Sequence, residues 1–220
     1  MFARVRQRAF LQGGVIDLGL ALMGLWLFIQ LNPTSLLFGA GDLRELLGAR
    51  EPRGERPAFF ITIEALTSAA NLTAASLLLS CLASSAASVR AQVMALVGTA
   101  LVVRTAAFAI LMRAENVLAW ITHGAQIGLA VGLAVALAAV ALPRGLRMIL
   151  AALLIMAATV LVNLAPANPY LAASLKVWQQ GHFLNFNGLT RLVSALWPFA
   201  ALGYLMYLAG SRPREARQKP

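Results

Sequence analysis

Charge is scarce in this chain. Asp, Glu, Lys and Arg make up 12% of its 220 residues, about half the roughly 25% of an ordinary soluble domain. Acids are scarcer still, eight against 18 Lys and Arg, which leaves a formal net charge of +10. So little charge excludes a soluble nucleic-acid binder and a disordered tail, because neither holds together or stays dissolved without it. Cysteine is nearly absent: Cys81 stands alone inside an apolar run, so no intrachain disulfide forms and a disulfide-stapled secreted scaffold is excluded. The two histidines, His123 and His182, have no carboxylate at ligand spacing, and no H-E-x-x-H, G-x-S-x-G or phosphate-loop motif occurs. The sequence therefore calls for no metal and no cofactor.

What fills the chain instead is apolar: 60% hydrophobic residues and a mean hydropathy of +0.77. A fold of this size cannot bury that much, so the chain reads as an all-α, polytopic transmembrane helix bundle. At about 20 apolar residues per span, six are expected: Gly14 to Leu31, Phe59 to Leu82, Ala91 to Met112, Leu118 to Leu142, Arg147 to Leu164 and Leu192 to Ala209. Residues 1–210 form one transmembrane domain, and 211–220 a basic cytoplasmic tail. Arg4, Arg6 and Arg8 before the first run imitate a signal peptide. The run is nevertheless long, contains Asp17 and lacks a small-x-small cleavage site, so it is read as a retained span.

Six spans place both termini and the segments 83–90 and 143–147 on one side, which carries ten basic residues and one acid. The other side carries seven basic residues and five acids. Positive charge collects in the cytoplasm, so both termini are expected there, and the basic excess reflects topology and contact with anionic membrane lipids rather than nucleic acid. Two connections then lie outside. Residues 32–58, rich in glycine and with mixed charges that cancel, read as a solvated loop. Residues 165–191, with Pro166, Pro169, Tyr170, Leu171, Leu175 and Trp178, read as an interfacial helix or loop between spans five and six, anchored by Tyr170 and Trp178.

Charges inside a bilayer are costly, about 2.5–3.5 kcal/mol each on insertion scales, and need partners or water. Glu64 and Arg104 fall at similar depths below the outer surface, on neighbouring antiparallel spans, so an ion pair between them is expected. Glu64, Ser68 and Asn71 share one helical face, and His123 and Gln126 lie in the same depth zone, which suggests an outward-facing polar pocket. Gly124, Gly128 and Gly132 form a small-xxx-small face for close helix packing. That face suits another span of this chain or a second copy of it. In the segment W-Q-Q-G-H-F-L-N-F-N-G-L-T-R, His182, Asn185, Asn187 and Arg191 set hydrogen-bonding groups beside aromatic rings, with Arg191 suited to a phosphate or carboxylate.

Residues 178–199, W-Q-Q-G-H-F-L-N-F-N-G-L-T-R-L-V-S-A-L-W-P-F, together with W-L-F-I-Q-L-N-P and G-D-L-R near residues 26–44, resemble VanZ-like bacterial membrane proteins. The resemblance is tight only over 178–199 and is closest to the region after the VanZ core in longer proteobacterial members. The Gln, Arg, Asp and Asn signature of the core is not found here. The resemblance implies a multi-pass protein of the bacterial inner membrane, with a binding or accessory role towards an envelope lipid or a glycopeptide-related ligand. Two other classes stay open at the level of sequence. One is a membrane-embedded enzyme acting on a polyprenyl or lipid phosphate, which needs His182, Arg191 and Glu64 to converge. The other is a small transporter or channel subunit, which needs a continuous polar path from Asp17 to Glu64.

Overall fold

A computed structural model describes residues 9–11, 13–44, 46–48, 57–84, 88–111, 117–166 and 184–210. Six helices account for the regular structure of these residues: α1 Gly14–Ile29, α2 Pro57–Leu82, α3 Val89–Leu111, α4 His123–Ala139, α5 Arg144–Leu164 and α6 Leu184–Gly210. Four of them, α2, α3, α5 and α6, are long and apolar enough to cross a membrane. The other two are apolar but short, with 16 residues in α1 and 17 in α4. At 1.5 Å per residue each measures about 25 Å, slightly less than a hydrocarbon core of about 30 Å.

Side-chain size decides which helix sits inside. The most apolar stretch of α2 is 83% buried, against 28–44% for α3, α5 and α6. That stretch is rich in Ala, Ser and Thr, whereas Leu, Ile and Val concentrate on the outer helices, where Leu146, Ile149, Leu153, Met156 and Val160 form an exposed stripe along α5. In lipid there is no hydrophobic gain from burying leucine, so close contact between small residues governs which helices meet. Helix α2 accordingly packs chiefly against α4 and α5. Helices α1 and α6 pair antiparallel, held by the Trp197 indole donating to the Leu22 carbonyl (2.8 Å) and the Tyr204 hydroxyl donating to Val15 (3.0 Å).

Direct contacts sort the helix ends into two groups. At one end, residues 9–11 run antiparallel to residues 82–84, with Leu11 N–H on the Leu82 carbonyl and Ser84 N–H on Ala9 (both 3.0 Å). Gln92 donates to Ala9 (2.8 Å) and Arg147 to Ser80 (3.0 Å). The starts of α1, α3 and α5 and the ends of α2 and α6 therefore meet there. This is the grouping that a six-helix up-and-down path requires.

Helix α6 begins earlier than expected. Residues 186–191, assigned from their polarity to an outer connection, are helical, because Asn187 and Thr190 turn inward and are buried, with the Thr190 hydroxyl donating to the Asn187 carbonyl (3.0 Å). Residues 167–183, including Tyr170, Trp178 and His182, lie outside the described residues.

Candidate functional site

The first connection overturns its reading as a solvated loop over residues 32–43. Asn32, Leu36, Leu37, Phe38 and Ala40 are buried, Phe38 completely, and the Phe38 ring stacks on Trp26 with centroids 5.6 Å apart. The segment folds back between the helices. Its deepest tie, the Ser68 hydroxyl donating to the Leu37 carbonyl (2.9 Å), falls eleven residues into α2, about 16 Å from that helix's start.

Irregular backbone at such a depth survives only where protein satisfies its polar groups, and here the helices supply the partners. Pro198 has no N–H, so the carbonyl four residues back, that of Ser194, loses its helical donor. Gly41 N–H takes that place (2.8 Å). The approach is close enough that a side chain would not fit, since a Cβ on Gly41 would lie 2.9 Å from Pro198 Cγ and 3.0 Å from Thr159 Oγ1. Gly41 also adopts φ +89°, a backbone conformation natural only to glycine. Asn163, at the end of α5, pairs with the loop as a strand would: its amide donates to the Gly41 carbonyl (2.7 Å) and its oxygen accepts Leu43 N–H (2.9 Å). Arg44 pairs with Asp42 (2.6 Å) and donates to the Ala165 carbonyl.

Arg104 is the central clamp. It is 2% exposed, and it donates through Nη1 to the Asn32 carbonyl and the Ser35 hydroxyl (3.1 Å) and through Nη2 to the Ser35 carbonyl. Its guanidinium lies over the Phe108 ring, 5.2 Å from the centroid. The Asn32 side chain caps the same turn by accepting Thr34 N–H (3.0 Å) and the Thr34 hydroxyl (2.7 Å). The expected Glu64–Arg104 ion pair is therefore not formed. Both residues are buried at this end of the bundle, but loop carbonyls occupy the guanidinium.

Glu64 instead faces α4. Its carboxylate lies beside the Thr122 hydroxyl and the Ala125 amide, at the N-terminus of that helix, where the helix dipole favours negative charge. Thr122 also caps the helix by accepting Ala125 N–H (3.1 Å). A Cβ on Gly124 would lie 2.4 Å from Glu64 Oε2, one on Gly128 2.5 Å from Ser68 Cβ, and one on Gly132 2.8 Å from Ala69 Cα. The glycine face of α4 is thus filled by α2 of the same chain, and the two helices run parallel.

Of the other polar candidates, His123 and Gln126 are exposed on the outer side of α4 and do not join Glu64. The expected polar pocket is accordingly not assembled from these residues. Asn187 is buried near the start of α6 with its Oδ1 unpartnered, and Arg191 is half-buried one turn further on. Asn185 belongs to α6, while its side chain and His182 lie outside the described residues. Sequence reasoning missed Asn32, Ser35, Gly41, Asn163 and Pro198. Two signals for them were present: a proline inside a span, which frees a carbonyl, and an asparagine at a helix end, whose amide can mimic backbone.

Seven of the ten buried side-chain polar atoms left without a partner among the described residues lie at the loop end of the bundle: Trp26 Nε1, Gln30 Oε1, Glu64 Oε2, Thr67 Oγ1, Arg104 Nε, Trp120 Nε1 and Asn187 Oδ1. The opposite half of the interior is packed mainly by Leu22, Leu78, Leu82, Val93, Val97 and Leu205, and the remaining three of these atoms, on Ser76, Gln92 and Arg147, lie there. Searches for similarity find no matching family model, no matching curated protein and no matching solved structure.

Proposed function

We propose that the chain is a six-span protein of the bacterial inner membrane, with both termini cytoplasmic, and that it is a VanZ-like binding or accessory protein whose working end is the outer one. Its ligand there is an envelope lipid or a glycopeptide-related molecule. The observation that carries this reading is the concentration of unpartnered polar atoms at the loop end, because unused hydrogen-bonding capacity in a dry interior is costly unless something else uses it.

The charge distribution supports the orientation: the end that gathers residues 9–11, 82–84 and Arg147 is the one flanked by the basic excess. The smaller number of unpartnered polar atoms in the other half, three against seven, together with the exposure of Asp17 on α1, favours binding at one end over a pore through the bundle.

The experiment is native mass spectrometry of protein purified from its own membranes in mild detergent, followed by identification of extracted lipids. A retained phospholipid or polyprenyl phosphate that is lost in Arg104→Ala or Arg191→Ala supports the reading. A protein that carries no specific lipid in any form sinks it.

A further inference from the structure

Building on the outer-end binding reading, we infer that Arg104 is an anion site held closed by the chain's own loop, and that its ligand group is a phosphate. The two carbonyls of Asn32 and Ser35 sit on Nη1 and Nη2 of one guanidinium, the paired arrangement that two oxygens of a phosphate take on arginine. The Ser35 hydroxyl completes the cradle at 3.1 Å.

Anchoring a loop needs only neutral donors, as Ser68 and Asn163 demonstrate in the same segment. A full charge, 2% exposed, with Glu64 near enough to act on it electrostatically but no carboxylate in contact with it among the described residues, exceeds that need. The surplus points to an anionic ligand, and two further donors at the same end, Arg104 Nε and Trp120 Nε1, are buried and unused. The loop is the competitor of that anion. It is fastened by separable contacts, Gly41 to Ser194, Asn163 to Gly41 and Leu43, and Ser68 to Leu37, none of which involves Arg104. Binding affinity therefore depends on how often the loop is undocked: the apparent Kd is the intrinsic Kd divided by the open fraction.

The test uses the full chain in detergent, with farnesyl monophosphate as probe, farnesol as its uncharged counterpart and inorganic phosphate as the free ion. The parent protein is expected to bind farnesyl monophosphate and not farnesol, and Arg104→Gln is expected to lose that binding. Asn163→Ala removes two ties of the loop at a distance from the arginine, so it should tighten binding by about tenfold. A merely structural loop predicts the opposite sign, because a damaged fold binds less.

Equal binding of inorganic phosphate would assign the gated site to a free ion, whereas binding of the farnesyl ester alone assigns it to a lipid. An unchanged or weakened affinity in Asn163→Ala overturns the gating, even if Arg104→Gln fails to fold and gives no information. Lipid that still co-purifies while Asn163→Ala and Arg104→Gln leave farnesyl phosphate binding unaltered overturns this inference and leaves the outer-end reading intact. Loss of specific lipid from the parent protein overturns both.

Discussion

Gly128 shows how single residues set this fold. A Cβ there would lie 2.5 Å from Ser68 Cβ and 2.7 Å from the Ala65 carbonyl oxygen, and the second obstacle is backbone that cannot swing aside. Gly128→Ala must push α4 away from α2, and overpacking of this kind costs about 1–3 kcal/mol. Gly24, Gly98 and Gly203 are the contrast, since a Cβ on any of them meets nothing within 4 Å. Gly98→Ala is expected to be neutral or to stabilise by up to about 1 kcal/mol, because alanine is the better helix former. Thermal unfolding of the two variants in the same detergent checks this: Gly128→Ala should melt below the parent and Gly98→Ala at or above it. Equal melting temperatures would mean that the glycine face does not hold α2 and α4 together. The spacing of Gly124, Gly128 and Gly132 was legible in the sequence as a packing face. Its partner was not, because a small-xxx-small pattern describes one surface and says nothing about which other surface meets it.

At the scale of elements, the loop and α6 depend on each other through Pro198. Restoring a donor at that position lets α6 close its own hydrogen bond to the Ser194 carbonyl, which then no longer needs Gly41 N–H. Pro198→Ala is therefore expected to loosen residues 36–43. A cysteine placed at Leu37, in a Cys81→Ala background, reports on this. Labelling by a small membrane-impermeant maleimide should be slow while Leu37 is 2% exposed and several-fold faster once the loop undocks. Unchanged labelling would show that the remaining ties from Ser68, Asn163 and Arg104 hold the loop without Gly41. This coupling explains why the helices were readable and the loop was not. Hydropathy finds α2, α3 and α5 to within a few residues, since each satisfies its own backbone. Residues 32–43 satisfy theirs through Arg104, Asn163, Ser68 and Ser194, which are distant in sequence, so polarity alone assigned them to water. The same error displaced the start of α6, where Asn187 and Thr190 are polar yet face inward.

For the whole molecule the decisive quantity is which end of the bundle faces the cytoplasm. The structure groups the helix ends: residues 9–11 pair with residues 82–84, Arg147 reaches Ser80, and Tyr204 reaches Val15, while residues 32–43 dock among the ends opposite. Helices α2 and α4 run parallel, so they begin at the same end, and that relation is independent of any counting of loop charges. Orientation then follows from one physical asymmetry, the retention of Lys and Arg on the cytoplasmic side during insertion. With Arg90 and Arg144 at one end, the proposed orientation puts that end inside. Alkaline phosphatase fused after residue 48 and after residue 116 is expected to be active, because in the proposed orientation both points follow helices that leave the cytoplasm. Fusions after residue 86 and after residue 210 are expected to be inactive. The short helices give the assay its force, since α1 and α4 of 16 and 17 residues span the membrane only if the bilayer thins or the flanking residues enter it. If α1 fails to cross, α2 starts in the cytoplasm, so the fusions after residues 48 and 116 are silent and the one after residue 86 is active, and the loop that clasps Arg104 enters from the cytoplasmic side. In that event the site would open towards the cytoplasm, and phosphate-bearing ligands of the inner leaflet would replace those of the envelope.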